Sequence, residues 1–138
     1  MEHPIHHRYE QAMSAGDAAG VRDALADDVR LHSPVTPKPF EGREIVARVL
    51  GSIIEVFDDL RFDPAVLTEP YVVLPFQARI GDRPLQGIDY LRFDDDRLIC
   101  EFTVMVRPLM GLLALQNEMA PRLGADPLRL VPAGAASP

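Results

Sequence analysis

Apolar side chains recur at helical spacing in the first part of the chain. From residue 4 to residue 15 they fall on one stripe, at Ile5, Tyr9, Ala12 and Met13. The i, i+4, i+7, i+8 spacing predicts a helix that Gly16 ends. Asp17 is then a good N-cap for a second helix, which we expect to run to about Ala26.

The next segment changes from helix to strand and back. Residues Val29–Ser33 alternate apolar and polar side chains, which predicts a short strand, and the proline-rich stretch 34–39 predicts a stiff loop. A third helix is predicted over Arg43–Phe57, with the widest apolar face in the chain. We expect Ile54 and Phe57 of this helix to line a central pocket.

Strand periodicity dominates from residue 60. The predicted strands are 60–67, 71–80, 85–93 and 98–106, joined by the turn-forming stretches 81–84 and 94–96. Residues 108–123 are consistent with a final helix, and the small, Pro/Gly-rich end predicts a flexible tail over residues 124–138. The pattern therefore predicts one α+β domain over residues 1–123.

Composition narrows the function classes. The 138 residues carry a formal charge of −7 without a Lys/Arg-rich run, so a nucleic-acid backbone would be repelled. Cys100 is the only cysteine, which excludes an intrachain disulfide and fits a reducing cytoplasm. No stretch approaches the roughly 20 apolar residues of a membrane helix. We therefore expect a cytoplasmic protein that binds neither nucleic acid nor membranes.

Three segments resemble a known group of proteins. HRYEQAMSAGDAAGVRDALADDVRLHSPV (7–35) is similar in spacing to the N-terminal region of ketosteroid isomerases, and GIDYLRF (87–93) to one of their strands. The SPV and VMVRPL segments look like bacterial SnoaL-like or nuclear transport factor 2-like proteins. The resemblance implies a cone-shaped α+β fold, in which three N-terminal helices pack on a curved antiparallel sheet around an open pocket.

The resemblance also implies roles for particular residues. Tyr9 and Asp89 match the two hydrogen-bond donors that face a ligand oxygen, with Asp89 kept protonated by apolar neighbours. The position of the isomerase's general base is occupied by Ser33. A serine hydroxyl does not take a proton from carbon without a stronger base beside it, so we do not expect efficient ketosteroid isomerisation.

Glu101 is the best alternative base, and its position depends on the turn before it. A three-residue turn at 94–96 would place Glu101 opposite Asp89, with Thr103 and Met105 on the same pocket-facing side. A two-residue turn would place Phe102 there instead. We favour the first register, in which two close carboxyls share one proton.

Each of these residues also has a structural interpretation. Tyr9 is equally consistent with a core tyrosine bonded to a backbone carbonyl, and Asp89 with an ion pair to an arginine. Ser33 fits a strand end bonded to backbone, and Glu101 a solvated face. His3 and His7 are i, i+4 neighbours without an evident third metal ligand, so neither a metal nor another cofactor is expected.

Taken together, the sequence predicts a protein that binds a small apolar molecule bearing a carbonyl or hydroxyl. If it is an enzyme, cofactor-free acid/base chemistry such as isomerisation, cyclisation or dehydration fits best, with Tyr9 and Asp89 as donors and Glu101 as base. The rival interpretation is a non-catalytic binding or dimerisation module. Apolar side chains on both faces of the long strands further predict a homodimer formed through the outer face of the sheet.

Overall fold

The structure, a computed structural model, describes residues 3–128 of the chain. The helices are α1 (His7–Ala15), α2 (Ala18–Asp23), α3 (Arg43–Val56) and α4 (Leu109–Leu123). The strands are β1 (Leu25–His32), β2 (Phe40–Glu41), β3 (Asp58–Phe62), β4 (Val66–Thr68), β5 (Tyr71–Ile80), β6 (Arg83–Phe93) and β7 (Ile99–Arg107). The predicted α+β class, with three N-terminal helices and a C-terminal helix, is confirmed.

All seven strands belong to one curved sheet with the order β2-β1-β7-β6-β5-β3, and β4 pairs with the other end of β5. The pairings are antiparallel except that of β1 with β7, which is parallel. Side chains alternate between the two faces along each strand, so one face turns towards the helices and the other away from them. We call these the concave face and the outer face.

The core lies between the helices and the concave face. Leu74, Leu91 and Phe102 project from neighbouring strands and are completely buried, as is Val46 of α3. Burial of one such side chain contributes roughly 1.5–3 kcal/mol. This packing fixes the sheet against the helices and makes the middle of β5, β6 and β7 the most rigid support for a site.

The second helix is shorter than predicted. It ends at Asp23, and β1 already begins at Leu25, whose register partner is Ile99 of β7. The predicted N-cap is correct, because the Asp17 carboxylate accepts a hydrogen bond from the Gly20 backbone N–H. The apolar residues Leu25 and Ala26 suit a helix face and a buried strand equally, and pairing with β7 decides for the strand.

The predicted strand 60–67 is also wrong as a continuous element. It is divided into β3 and β4, with residues 63–65 between them. Pro64 has no N–H to donate to a strand ladder, and the Asp63 N–H instead donates to the Pro75 carbonyl. The break lets β5 pair with β3 near one end and with β4 near the other.

Helix α4 closes the concave side. Leu115 and Met119 are buried against the cavity, so α4 does not cover the outer face of the sheet. After α4 the chain turns back, and the Leu128 N–H donates to the Asn117 side chain. Most of the predicted tail, residues 129–138, lies outside the described residues. Within 3–128, no helix is long and apolar enough to cross a membrane.

Candidate functional site

A cavity of about 200 Å³ lies between the helices and the concave face of the sheet. Its wall is mostly apolar and includes Phe40, Phe57, Phe62, Phe76, Val104 and Met119. The polar side chains in the wall are Tyr9, Ser33, Thr36, Asp89 and Gln116. Of the predicted site residues, the structure therefore places Tyr9, Ser33, Phe57 and Asp89 in one cavity.

Asp89 lies at the middle of β6, between Leu74 of β5 and Val104 of β7. Strand alternation directs its side chain to the concave face, where it is only 5% exposed. Burial raises the pKa of this carboxyl to about 7, and a hydrogen bond from Tyr9 opposes the rise only in part. Both the acid and the carboxylate are therefore substantially populated near neutral pH.

Tyr9 approaches Asp89 from α1 on the other side of the cavity. Its hydroxyl donates to Asp89 Oδ2 at 2.8 Å, and its ring packs edge-on against Phe102. Burial and the neighbouring Asp89 hold the pKa of Tyr9 well above its usual value, so the phenol keeps its proton. Asp89 lines the cavity, and its Oδ1 makes no hydrogen bond to the described residues. One oxygen of the carboxyl is therefore bonded to Tyr9 and the other is unpaired within this part of the chain.

Ser33 lies on the same row of the sheet as Asp89. The parallel pairing of His32 with Thr103 sets Ser33 beside Val104, whose antiparallel partner is Asp89. Two strand spacings separate the Ser33 and Asp89 backbones by roughly 10 Å. The Ser33 Oγ accepts the N–H groups of Val35 and Thr36, at 3.3 Å and 3.1 Å. The hydroxyl thus holds a turn and is not activated by any base.

Glu101 lies elsewhere, and both predicted registers are wrong. Its partner across β6 is Arg92, whereas Asp89 is opposite Val104. Glu101 projects from the outer face, with Oε2 at 2.8 Å from His32 Nε2 and Oε1 at 3.8 Å from Arg30 Nη1. The structure therefore separates Glu101 from the cavity and gives it an ion-pair environment.

The turn between β6 and β7 explains the shifted register. The connection runs from Asp94 to Leu98, five residues instead of two or three. The Asp94 side chain accepts the N–H groups of Asp96 and Leu98, and Arg97 adopts a left-handed conformation with φ 63°. A bulge between residues 92 and 93 shifts the pairing by one more residue.

Three predicted pocket residues lie outside the cavity, two of them because of this register. Thr103 and Met105 lie on the outer face with Glu101, and Met105 is 51% exposed. Ile54 packs beside Gly16 at the turn between α1 and α2, and its neighbour Ile53 lines the cavity instead. The prediction missed Phe76, Val104, Gln116 and Met119. Alternation from Asp89 would have identified Val104 once the register was known.

The position of the Phe76 ring in the cavity wall depends on Gly87. It pairs with Gly87 across β5 and β6, and a Cβ at residue 87 would lie 2.7 Å from the Phe76 ring and 2.2 Å from the Met105 carbonyl oxygen. Both distances are below van der Waals contact. Only glycine lets the backbones and the ring approach this closely.

No lysine, arginine or histidine side chain lines the cavity within residues 3–128. Asp89 therefore has a hydrogen-bond donor but no cationic partner. The part of the chain that the structure describes also contains no cluster of three His, Cys, Asp or Glu side chains able to hold a metal ion. The polar groups of the cavity are the Tyr9 phenol, the Asp89 carboxyl, the Ser33 and Thr36 hydroxyls and the Gln116 amide, and of these Tyr9 and Asp89 are titratable.

Several solved structures share this architecture. A steroid delta-isomerase from Pseudomonas aeruginosa is 38% identical, with 87% of this chain and 89% of that chain covered at a TM-score of 0.82. An uncharacterized protein with a cystatin-like fold from Silicibacter pomeroyi is 31% identical, with 90% and 88% covered at a TM-score of 0.84. A putative ketosteroid isomerase from Kribbella flavida, at 20% identity and a TM-score of 0.63 over 94% and 89% of the chains, shares the fold.

None of the curated proteins compared with the sequence matches it. The family model of the SnoaL-like domain matches residues 6–102. That range includes Tyr9, Ser33 and Asp89, together with α1 to α3 and β1 to β6. The chain belongs to the SnoaL-like domain family.

Proposed function

We propose that this protein binds a small apolar molecule through a carbonyl or hydroxyl oxygen at Asp89 and Tyr9, and transforms it by cofactor-free acid/base chemistry. One observation carries the proposal. The Tyr9 hydroxyl and the Asp89 carboxyl meet at 2.8 Å in the wall of an apolar cavity, with the second carboxyl oxygen free. A convergent polar pair in an otherwise apolar cavity is the usual form of a small-molecule site.

Asp89 is the proton-transfer group in this proposal. Its pKa of about 7 lies near the operating pH, where a general acid or base is most effective. The ionised carboxyl takes a proton from the carbon next to a ligand carbonyl. Tyr9, released from the carboxyl once that carboxyl is protonated, donates its hydrogen bond to the enolate oxygen. The protonated Asp89 then returns the proton to carbon, so no group is consumed.

The class of reaction follows from the presence of one base, Asp89. A single carboxyl transfers one proton at a time, so we propose an enolisation, isomerisation or dehydration. Rapid steroid-type transfer by a separate base does not fit, because Ser33 occupies that position and Glu101 lies on the outer face. The steroid delta-isomerase name belongs to the Pseudomonas aeruginosa protein. It supports isomerase-type chemistry here without defining a substrate.

The experiment uses 2-tetralone, a small ketone with exchangeable hydrogens next to its carbonyl. NMR in D₂O measures both its binding and the rate at which those hydrogens exchange. We expect saturable binding and an exchange rate that falls by about a hundredfold or more in Asp89→Asn, as loss of a general base does. Glu101→Gln is the matched control, since it makes the same carboxyl-to-amide change outside the cavity.

Wild-type protein that fails to bind 2-tetralone would contradict the proposed site. Binding without accelerated exchange would instead favour the second candidate, a non-catalytic ligand-binding module. The observation behind that candidate is the missing second base: within residues 3–128, Asp89 is the only carboxyl in the cavity wall.

We also propose that the protein is a cytoplasmic homodimer, associated through the outer face. Tyr71, Tyr90 and Met105 are each more than 40% exposed there, and the rings of Tyr71 and Tyr90 lie 5.9 Å apart. A second copy related by a two-fold axis would cover this patch. The single half-buried cysteine is consistent with a reducing compartment.

A further inference from the structure

The carboxyl of Asp89 is unusual in being buried without a cationic partner among the described residues. Buried carboxylates are normally paired with a cation or held by several donors. Asp89 has one donor, Tyr9, and no lysine, arginine or histidine lines the cavity within the described residues. When Asp89 is ionised, no positively charged side chain of the described residues is therefore beside it. A bound ligand could supply that charge.

The hydrogen-bond inventory specifies what kind of ligand would supply that charge. The Tyr9 proton is already engaged with Asp89 Oδ2, so the ionised pair offers acceptors to the cavity rather than donors. Asp89 Oδ1 is the one carboxyl oxygen left open. A protonated tertiary amine carries a single N–H donor, which matches one free oxygen and leaves no buried donor unsatisfied.

We propose that the cavity also accepts a protonated tertiary amine on a small apolar body, with its N–H donating to Asp89 Oδ1. This inference rests on the cavity being a ligand site, as proposed above. The amine and the neutral carbonyl compound would occupy the same place, but the amine binds to the ionised carboxyl, whereas the carbonyl compound binds most tightly to the protonated carboxyl and reacts through the ionised one.

The rest of the wall suits an alkylammonium group. Phe57, Phe62 and Phe76 form a cluster whose neighbouring ring centroids lie 5.8 Å and 6.4 Å apart. Aromatic faces attract alkylated ammonium groups through their π electrons. The formal charge of −7 attracts cations to the protein as a whole and disfavours carboxylates or phosphates.

The side chains around Asp89 do not change their charge between pH 5.5 and 8.5, so a pH dependence of ligand binding can be assigned to Asp89. Leu74 and Val104 flank it on the sheet, α4 contributes Leu115 and Met119, and α1 contributes Tyr9. Tyr9 is the other titratable group among them. It stays protonated, because burial and Asp89 hold its pKa well above the usual value. A change in binding between pH 5.5 and 8.5 therefore reports ionisation of Asp89.

The test compares three ligands with one carbon skeleton: 2-(dimethylamino)tetralin, 2-tetralone and tetralin-2-carboxylate. Their affinities are measured by isothermal titration calorimetry at pH 5.5 and 8.5. We expect the amine to bind at least tenfold more tightly at the higher pH, because ionisation of Asp89 creates its partner. The affinity for 2-tetralone should fall over the same interval, and the carboxylate should not bind at either pH.

Two carboxyl-to-amide variants separate the site from the rest of the surface. In Asp89→Asn the amine should lose its affinity and 2-tetralone its pH dependence, because the Asn side chain does not ionise. In Glu101→Gln both ligands should behave as in the wild type. Amine binding that survives Asp89→Asn, or that does not increase with pH, would overturn the inference.

The failure of this inference differs from that of the proposed function. If 2-tetralone binds and the amine does not, the ligand site stands and the amine proposal is rejected. If neither binds at any pH, the proposed site itself is rejected and the amine proposal with it. Circular dichroism of each variant confirms that a loss of binding does not reflect unfolding.

Discussion

Two carboxyl groups on neighbouring strands have opposite environments. Asp89 of β6 is buried on the concave face with a phenol as its only polar neighbour. Glu101 of β7 projects from the outer face, where His32 and Arg30 lie within 4 Å of its carboxylate. The two residues carry the same functional group and are less than a strand length apart.

The difference shows that the environment, more than the residue type, decides what a carboxyl does. A partly exposed carboxylate beside a cation such as Arg30 is stabilised only slightly by it, by about 0–1 kcal/mol. A buried carboxyl without a cation destabilises the folded state when it ionises, and for that reason it binds protons and donors strongly. Glu101 contributes a surface ion pair, whereas Asp89 is the group for which we propose a role in proton transfer.

The largest expected effect is on the pH dependence of the free energy of unfolding, which reports how strongly burial disfavours the ionised form of Asp89. Its pKa of about 7 exceeds that of an exposed aspartate by roughly three units, which corresponds to about 4 kcal/mol. The folded state binds the proton more tightly, so this contribution to stability is complete below about pH 4 and is lost as the pH rises to about 7. Between pH 4.5 and 8.5, Asp89→Asn should therefore gain about 3 kcal/mol relative to the wild type, because aspartate in the unfolded chain is already largely ionised at pH 4.5.

Urea denaturation at the two pH values measures this difference, and NMR titration of the Asp89 carboxyl measures the pKa directly. The Tyr9 hydroxyl can still donate to the Asn side-chain carbonyl, so the variant keeps the hydrogen bond and removes only the ionisation. A pKa near 4 for Asp89, or equal pH dependence in both proteins, would contradict the contrast between the two faces.

The second prediction concerns the outer face. Tyr90 is 41% exposed and lies in register with Thr103 on one side and Val73 on the other, near the centre of the proposed dimer surface. Tyr90→Arg brings two like charges together across a two-fold axis, and we expect the dimer dissociation constant to rise by about a hundredfold. Light scattering at micromolar concentration should report a dimer for the wild type and 15.3 kDa for the variant. A wild-type mass of one chain would reject the dimer.

A smaller effect is expected from restoring a base. Wild-type protein should isomerise a Δ5-3-ketosteroid very weakly or not at all, because Ser33 does not act as a base. Ser33→Asp places a carboxylate in the cavity wall roughly 10 Å across the sheet from Asp89 and can still accept the turn N–H groups. We expect the rate to rise by about tenfold, followed by ultraviolet absorbance of the conjugated product. Robust isomerisation by the wild type would contradict this.

The smallest effect is expected for Glu101, the carboxyl group on the outer face. Glu101→Gln removes the charge that faces His32 and Arg30, both of which remain in contact with water. The free energy of unfolding should fall by less than about 1 kcal/mol at pH 7, as measured by urea denaturation. A loss of several kcal/mol would mean that the outer-face pair is structurally as important as the buried site.

The sequence is sufficient to predict the fold and the two central polar residues. Helical and strand periodicities locate α1, α3 and β5 to β7 within a few residues, because each has a continuous apolar face. Tyr9 and Asp89 follow from short motifs in a fixed order. Their contact joins residues 80 positions apart, which periodicity alone does not reveal.

The remaining site residues depend on one turn that the sequence pattern does not determine. Asp94 binds two backbone N–H groups and Arg97 turns left-handed, so the connection takes five residues, and a bulge adds a further shift. Since side chains alternate with a period of two, the error in register placed Glu101, Thr103 and Met105 on the wrong face. Residues 25 and 26 were assigned wrongly for a similar reason, because a long-range pairing overrides a locally ambiguous pattern.

The close approach of Phe76 to Gly87 bears on how this cavity can change during evolution. A substitution of Gly87 by any larger residue would displace both the Phe76 ring and the strand that carries Met105, because the added Cβ approaches each of them. A smaller side chain at residue 76 would relieve the contact with the ring but not the contact with the Met105 carbonyl oxygen, which belongs to the backbone. Substitutions at residue 76 can therefore change the shape of the cavity while residue 87 remains glycine. We expect a lineage that acquires a differently shaped ligand to vary at residue 76 and to keep Gly87.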